Sequence, residues 1–177
     1  VKRVLIIAAM LAAAATATVQ ARDLPKVYGE EATVPANGAE KEIAALFDHW
    51  EAALETGKPE EMVKLYARDG VLQPTVSNRV RTTPADIQDY FVHFMALKPH
   101  GHINYRQIRL LGPDTALDSG VYTFDIVRDG KPAKVQARYT YVYEKIGGEW
   151  KIMNHHSSAM PEQVVVEKVV AEKVAAN

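Results

Sequence analysis

The sequence has no cysteine in 177 residues. That excludes disulfides, thiolate nucleophiles and cysteine-ligated metals, and leaves an apolar core to hold the chain together. It also lacks an excess of either charge, with 21 basic against 22 acidic residues. Nucleic-acid binding draws on clustered Lys and Arg, so no nucleic-acid partner is expected. There is no Gly-rich phosphate loop, no Gly-x-Ser-x-Gly elbow and no His-Glu-x-x-His pair. The common nucleotide, hydrolase and zinc-protease signatures are therefore missing, and the motifs indicate neither a cofactor nor a metal.

Long apolar runs are scarce as well. The run from Val4 to Ala15 is short and alanine-rich, which argues against a membrane span. It follows Lys2-Arg3 and precedes the small residues of Val19-Gln20-Ala21, so residues 1–21 read as a secretory signal peptide, with an uncleaved anchor as the rival reading. Cleavage near Ala21 would leave 19 basic against 22 acidic residues in a mildly acidic periplasmic or secreted protein, free of the membrane.

What remains, in a chain 47% hydrophobic and 24% charged, suffices for one domain. Residues 22–36 carry Pro25, Gly29 and Pro35 without periodicity and read as an extended lead-in. The domain proper is expected over 37–161. Asn37 can cap a helix whose Ile43, Leu46, Phe47, Trp50 and Leu54 recur at helical spacing until Gly57. Pro59 starts a second helix, expected to run to about Asp69-Gly70, and Val71 to Thr75 reads as a strand. Thr83-Pro84 opens a third helix with Ile87, Tyr90, Phe91, Phe94 and Leu97 on its apolar stripe. Four strand-like segments follow, Ile103–Leu111, Ala116–Val127, Ala133–Glu144 and Trp150–Ser158, separated by turn signals. Helices first and hairpins afterwards define an α+β domain. In the tail, 162–177, Val166, Val169, Val170 and Val174 could line a short helix or fray.

Strand parity supplies the candidate site. In a regular strand Trp150, Ile152, Asn154 and His156 share one face, and Met153, His155 and Ser157 the other. Either face carries an imidazole, so His155 and His156 are the candidate catalytic bases, though adjacent strand residues point apart and would not share a metal. With Tyr122 inward, Asp118, Gly120 and Phe124 follow it; the next strand offers either Arg138 with Thr140 or the row Tyr139, Tyr141, Tyr143. The first choice puts Arg138 beside Tyr122, His155, His156 and Ser157, with Arg109 able to join them, as a pocket for a small carboxylate or other polar ligand. It also leaves the tyrosine row outward, as an aromatic patch for a partner copy. Asp48, His49, Asp89, His93 and Asp118 are the remaining acid-base candidates, while His100 and His102 flank a glycine and read as solvated.

Ile43-Ala44-Ala45-Leu46-Phe47, Ile108-Arg109-Leu110-Leu111-Gly112, Gly120-Val121-Tyr122-Thr123-Phe124, Ala137 to Tyr143, and Gly148-Glu149-Trp150-Lys151-Ile152 through the His155-His156-Ser157-Ser158-Ala159-Met160-Pro161 ending resemble the nuclear transport factor 2-like superfamily. Within it they are similar to SnoaL-like proteins and to the association domain of calcium/calmodulin-dependent protein kinase II, over roughly Ala39 to Met160. The resemblance implies a cone-like curved antiparallel sheet wrapped around the long N-terminal helix, with three helices in the first half. It also implies a deep pocket and assembly into a dimer or larger ring. Tyr122 and Ser157 fall where the kinase domain carries arginines, and neither kinase activity nor calmodulin binding carries over. Three functions remain open: an exported, self-associating ligand-binding domain; a cofactor-independent isomerase, dehydratase or hydrolase using a pocket histidine with Tyr122 and Arg138; and a structural association module.

Overall fold

The computed structural model describes residues 26–36, 38–75 and 77–162. The signal segment, the Asn37 cap and the tail helix expected beyond Glu162 lie outside these residues. Three helices, α1 (Gly38–Glu55), α2 (Pro59–Lys64) and α3 (Pro84–Met95), and five strands, β1 (Tyr66–Gln73), β2 (His100–Leu110), β3 (Thr115–Arg128), β4 (Lys131–Ile146) and β5 (Glu149–Ala159), form the domain. None of these helices is long and apolar enough to cross a membrane.

The apolar spacing places α1 as expected. Ile43, Phe47, Trp50 and Leu54 are buried, Ala44 joins them and Leu46 is only half-buried. On α3 the Thr83 hydroxyl accepts from the Asp86 N–H at 3.2 Å, Pro84 occupies the first turn, and Ile87 and Phe91 are buried. The second helix stops earlier than expected, at Lys64, because Tyr66 already pairs with Ile152 as the first residue of β1.

The strand order is β1-β5-β4-β3-β2. All neighbours are antiparallel except β1 and β5, so the sheet is mixed and the expectation of a purely antiparallel one is corrected. Tight connections close the hairpins: Asp129-Gly130 and Gly147-Gly148 all have positive φ, the geometry that two-residue turns between twisted strands require.

Two irregularities decide which side chains point inward. On β5, Ile152 opposes Tyr143 whereas Asn154 opposes Val142, so Met153 is an extra residue and parity reverses across it. On β2, Ile103 opposes Tyr122 but Tyr105 opposes Val121, a second bulge that turns Arg106 and Ile108 to the inner face along with Ile103. Gly120 is needed there, since a Cβ on it would sit 1.8 Å from the Tyr105 carbonyl oxygen. The resulting inner face carries Asp118, Tyr122 and Phe124 from β3, Tyr139, Tyr141 and Tyr143 from β4, and Ile152, His155 and Ser157 from β5. These join the α1 and α3 side chains in one core. Residues 26–36 of the lead-in have no helix or strand and meet the β2 edge, where the Ala32 N–H donates to the Ile103 carbonyl at 2.8 Å.

Candidate functional site

Of the six residues expected to bind ligand, three come together. Tyr122, His155 and Ser157 are each less than 7% exposed and form a continuous hydrogen-bonded chain. The Tyr122 hydroxyl donates to Ser157 Oγ at 2.6 Å and lies 3.3 Å from His155 Nε2. Tyr66 Oη is 3.0 Å from His155 Nδ1, and Ser157 Oγ is bonded to Thr75 Oγ1. With the Tyr122 proton directed to Ser157, its oxygen receives the His155 Nε2–H, and Nδ1 accepts from Tyr66. One neutral tautomer thus satisfies both ring nitrogens. The ring is stacked on Tyr141 with centroids 4.1 Å apart and meets the edge of Trp50. Burial, reinforced by the neighbouring His156, lowers the His155 pKa to about 3, and burial likewise pushes the Tyr66 and Tyr122 phenols well above their ordinary range.

The chain ends in a hollow between α1, α3 and the sheet. Its walls are largely apolar, from Trp50, Leu72, Phe94, Phe124 and Ile126, with Thr75, Tyr122, His155 and Ser157 at one end and Arg128 as the one cationic side chain among the described residues that line it. The cavity measures about 50 Å³. A water needs roughly 10–15 Å³ of such space, so the cavity suits a few heavy atoms.

The other three expected residues are elsewhere. Arg138 is exposed on the outer face, where its Nε donates to Ser158 Oγ at 3.2 Å, because the tyrosine row takes the inward parity of β4. His156 is exposed on the same outer face, on the far side of the strand from His155. Arg109 is exposed on β2, its Nη1 donating to the Ile108 carbonyl. The arginine-lined carboxylate pocket and the outward tyrosine patch are both corrected by this placement. Tyr66 and Thr75 were missed because the first was assigned to a helix and the second to the unremarkable end of a strand.

A second polar cluster lies under the same tyrosines. Asp118, fully buried, accepts from the Tyr139 hydroxyl at 2.9 Å, and Arg106 Nε lies 3.1 Å from its Oδ2 but out of line for a hydrogen bond. Desolvation raises the Asp118 pKa to about 6 against the opposing pull of Arg106 and Tyr139. Arg106 Nη2 and the hydroxyls of Tyr141 and Tyr143 are buried without a partner among the described residues. Ile103 and Ile108, five apart and both apolar, were the available sign of the bulge that brings Arg106 inside.

On the other side of α1 a groove of about 380 Å³ is lined by Glu31, Asp48, Glu51, Glu55, His100 and His102, with Arg106 at its floor. Glu51, Glu55 and His100 bring three possible metal-ligand atoms within 4.8 Å of one another. His100, expected to be solvated, lies with its Nδ1 3.1 Å from Glu51 Oε1.

A five-stranded mixed sheet with three helices ahead of most of it, and a hollow between the layers, defines the nuclear transport factor 2-like class. Within that class, residues 39–161 match the model of the calcium/calmodulin dependent protein kinase II association domain, and the chain belongs to that family. It is similar to an association-domain protein of this family from Xanthomonas campestris, at 56% identity and a TM-score of 0.77, covering 78% of this chain and all of that one. The fold alone is shared with a nuclear transport factor 2-like superfamily protein from Salmonella enterica, at 17% identity and TM-score 0.61 over 72% of this chain and 94% of that one. It is shared too with a ketosteroid isomerase-like protein from Erwinia carotovora, at 13% and 0.56 over 68% and 95%. No match is found among curated proteins.

Proposed function

We propose that this chain is a self-associating domain that binds a small, mostly apolar molecule carrying a hydroxyl or carbonyl group. The observation that carries this reading is the Thr75–Ser157–Tyr122–His155–Tyr66 chain opening at one end of an otherwise apolar hollow. Such a wall buries a hydrocarbon body while a hydroxyl-lined end fixes its polar group. The reading takes the sheet as curled about α1, supported by the contacts of Phe47 with Tyr122 and of Trp50 with Phe124 and His155. A free carboxylate is disfavoured as the ligand, since among the described residues lining the hollow only Arg128 offers a positive charge and it is exposed.

Self-association is supported by membership of an association-domain family, no longer by the buried tyrosines. Export is supported by Lys2-Arg3, the apolar run and Val19-Gln20-Ala21. The enzyme reading is weaker: a base whose pKa lies near 3 takes little of a substrate's proton at neutral pH.

Thermal-shift screening with small alcohols and ketones of about three to five heavy atoms tests the ligand class. Stabilisation by these and none by matched carboxylates is expected, with Tyr122→Phe losing the response; a response confined to carboxylates overturns the reading. Light scattering after size exclusion should report at least a dimer, and intact mass of exported protein a chain beginning at Arg22.

A further inference from the structure

We propose that Glu51, Glu55 and His100 form a binding site for a divalent transition metal of the zinc class, in the groove on the opposite side of α1 from the hollow. The first support is geometric. Glu51 and Glu55, one turn apart on α1, face His100 at the start of β2, with Nδ1 lying 3.1 Å from Glu51 Oε1 and 3.6 Å from Glu55 Oε1. A tetrahedral metal with ligands about 2.0–2.2 Å away has ligand–ligand edges of about 3.3–3.6 Å. These two separations lie close to such edges and all three donor atoms fall within 4.8 Å of one another, so side-chain adjustment can bring them to one ion.

The second support is the state of Glu51. Only 9% exposed, it has its Oε2 buried with no hydrogen-bond partner among the described residues, while Oε1 receives the Gly101 N–H at 2.8 Å. The carboxylate is thus oriented by backbone, with one oxygen left unpaired. Gly101 is part of the construction, because a Cβ there would come within 3.0 Å of Glu51 Oε2 and 2.4 Å of the Phe124 ring. An outer N–H that fixes a ligating carboxylate is the usual support of a metal site.

The third support is the setting. Glu31 and Asp48 add further carboxylates to the groove, and Arg106, the one fixed cation among the described residues lining it, is already held by Asp118. Two carboxylates and an imidazole leave coordination positions open to water in a groove of about 380 Å³. One imidazole nitrogen selects for zinc-class ions over magnesium, which prefers an all-oxygen shell. This inference stands independently of the hollow and its ligand.

The test is titration of the purified, tag-free chain with Zn²⁺ and Mg²⁺ by calorimetry, alongside Co²⁺ monitored by visible absorption. One Zn²⁺ per chain is expected, with Mg²⁺ at least about tenfold weaker and Co²⁺ showing the ligand-field bands of a low-coordinate N,O site. Glu51→Gln, which keeps the side-chain shape, and His100→Ala, at an exposed position, should each weaken Zn²⁺ at least about tenfold while leaving the hollow's ligand response unchanged. No saturable Zn²⁺ binding, binding undiminished in both variants, or equal affinity for Mg²⁺ would overturn the proposal.

Discussion

The inner face of the sheet holds two polar clusters under one row of tyrosines, and they solve the problem of buried polarity in opposite ways. Along the Thr75–Ser157–Tyr122–His155–Tyr66 chain both imidazole nitrogens and every hydroxyl have a partner and no group is charged. Around Asp118 an ion pair with Arg106 leaves Arg106 Nη2 and the Tyr143 hydroxyl without partners. A neutral chain avoids the desolvation cost of ions and can present its last hydroxyls to a hollow. A buried ion pair instead makes each partner indispensable to the other. The first arrangement suits recognition and the second suits fixing a fold.

The largest expected effect therefore falls on the charged cluster. Asp118→Ala strands the Arg106 guanidinium, 7% exposed at its side chain, and should cost about 3–5 kcal/mol in urea denaturation. Replacing both partners, with Asp118→Leu and Arg106→Met together, should cost far less. A double variant as unstable as the single one would show that the pair contributes packing and not charge compensation.

Acid should separate the clusters next. The His155 pKa is depressed to about 3, so the stability due to its neutral ring is complete above the ordinary value of 6.5 and drains as pH falls toward 3. Asp118 has the opposite sign: its pKa is raised to about 6 from an ordinary 3.8, so its contribution is complete below 3.8 and is lost as pH rises through 6. Between pH 6 and 4 the two largely cancel, each at about 1.4 kcal/mol per pH unit. His155→Gln should make the protein gain stability on mild acidification, and Asp118→Asn should make it lose stability more steeply. Denaturation at pH 7, 6, 5 and 4 reads both slopes; parallel profiles for the two variants would contradict the assignment.

Tyr122→Phe probes the neutral chain at its centre. It removes the partner of His155 Nε2 and one of the two partners of Ser157 Oγ while keeping the ring against Tyr139, so a loss of about 1–3 kcal/mol is expected by thermal denaturation. A cost near zero would mean that the remaining groups of the chain find other partners.

The helices and hairpins were legible because their signals are local. Ile43, Phe47, Trp50 and Leu54 mark α1 by spacing alone, and Gly147-Gly148 marks the last turn by backbone chemistry. Which face of a strand looks inward is not local. On β4 both parities offered plausible interiors, and the choice went to three tyrosines because their rings fill the space beneath α1, which an arginine without a counter-ion could not do. On β5 the Met153 bulge lets Ile152 and His155 share a face that regular alternation forbids, and on β2 a bulge does the same for Ile103 and Arg106. Tyr122, His155 and Ser157 were recoverable because they lie beyond the bulges on regular stretches. Tyr66 and Thr75 reach the chain through β1, whose parallel pairing with β5 joins residues more than eighty positions apart.

The smallest effect should come from Arg138, and its smallness is informative. Its guanidinium is exposed, touches Ser158 Oγ on the outer face and sits across the sheet from the hollow. Surface substitutions of this kind stay within about 0.5 kcal/mol. Arg138→Met should therefore leave stability, both acid slopes and the hollow's ligand response as in the wild type, because neither buried cluster includes it. The same variant separates two meanings of exposure. An unchanged melting temperature with a weakened oligomer, read by light scattering across a concentration series, would place Arg138 at a contact between copies. An unchanged oligomer would leave it a solvated side chain, whereas a lost ligand response would mean that the inner-face assignment of the tyrosine row is wrong and would undo the contrast between the two clusters.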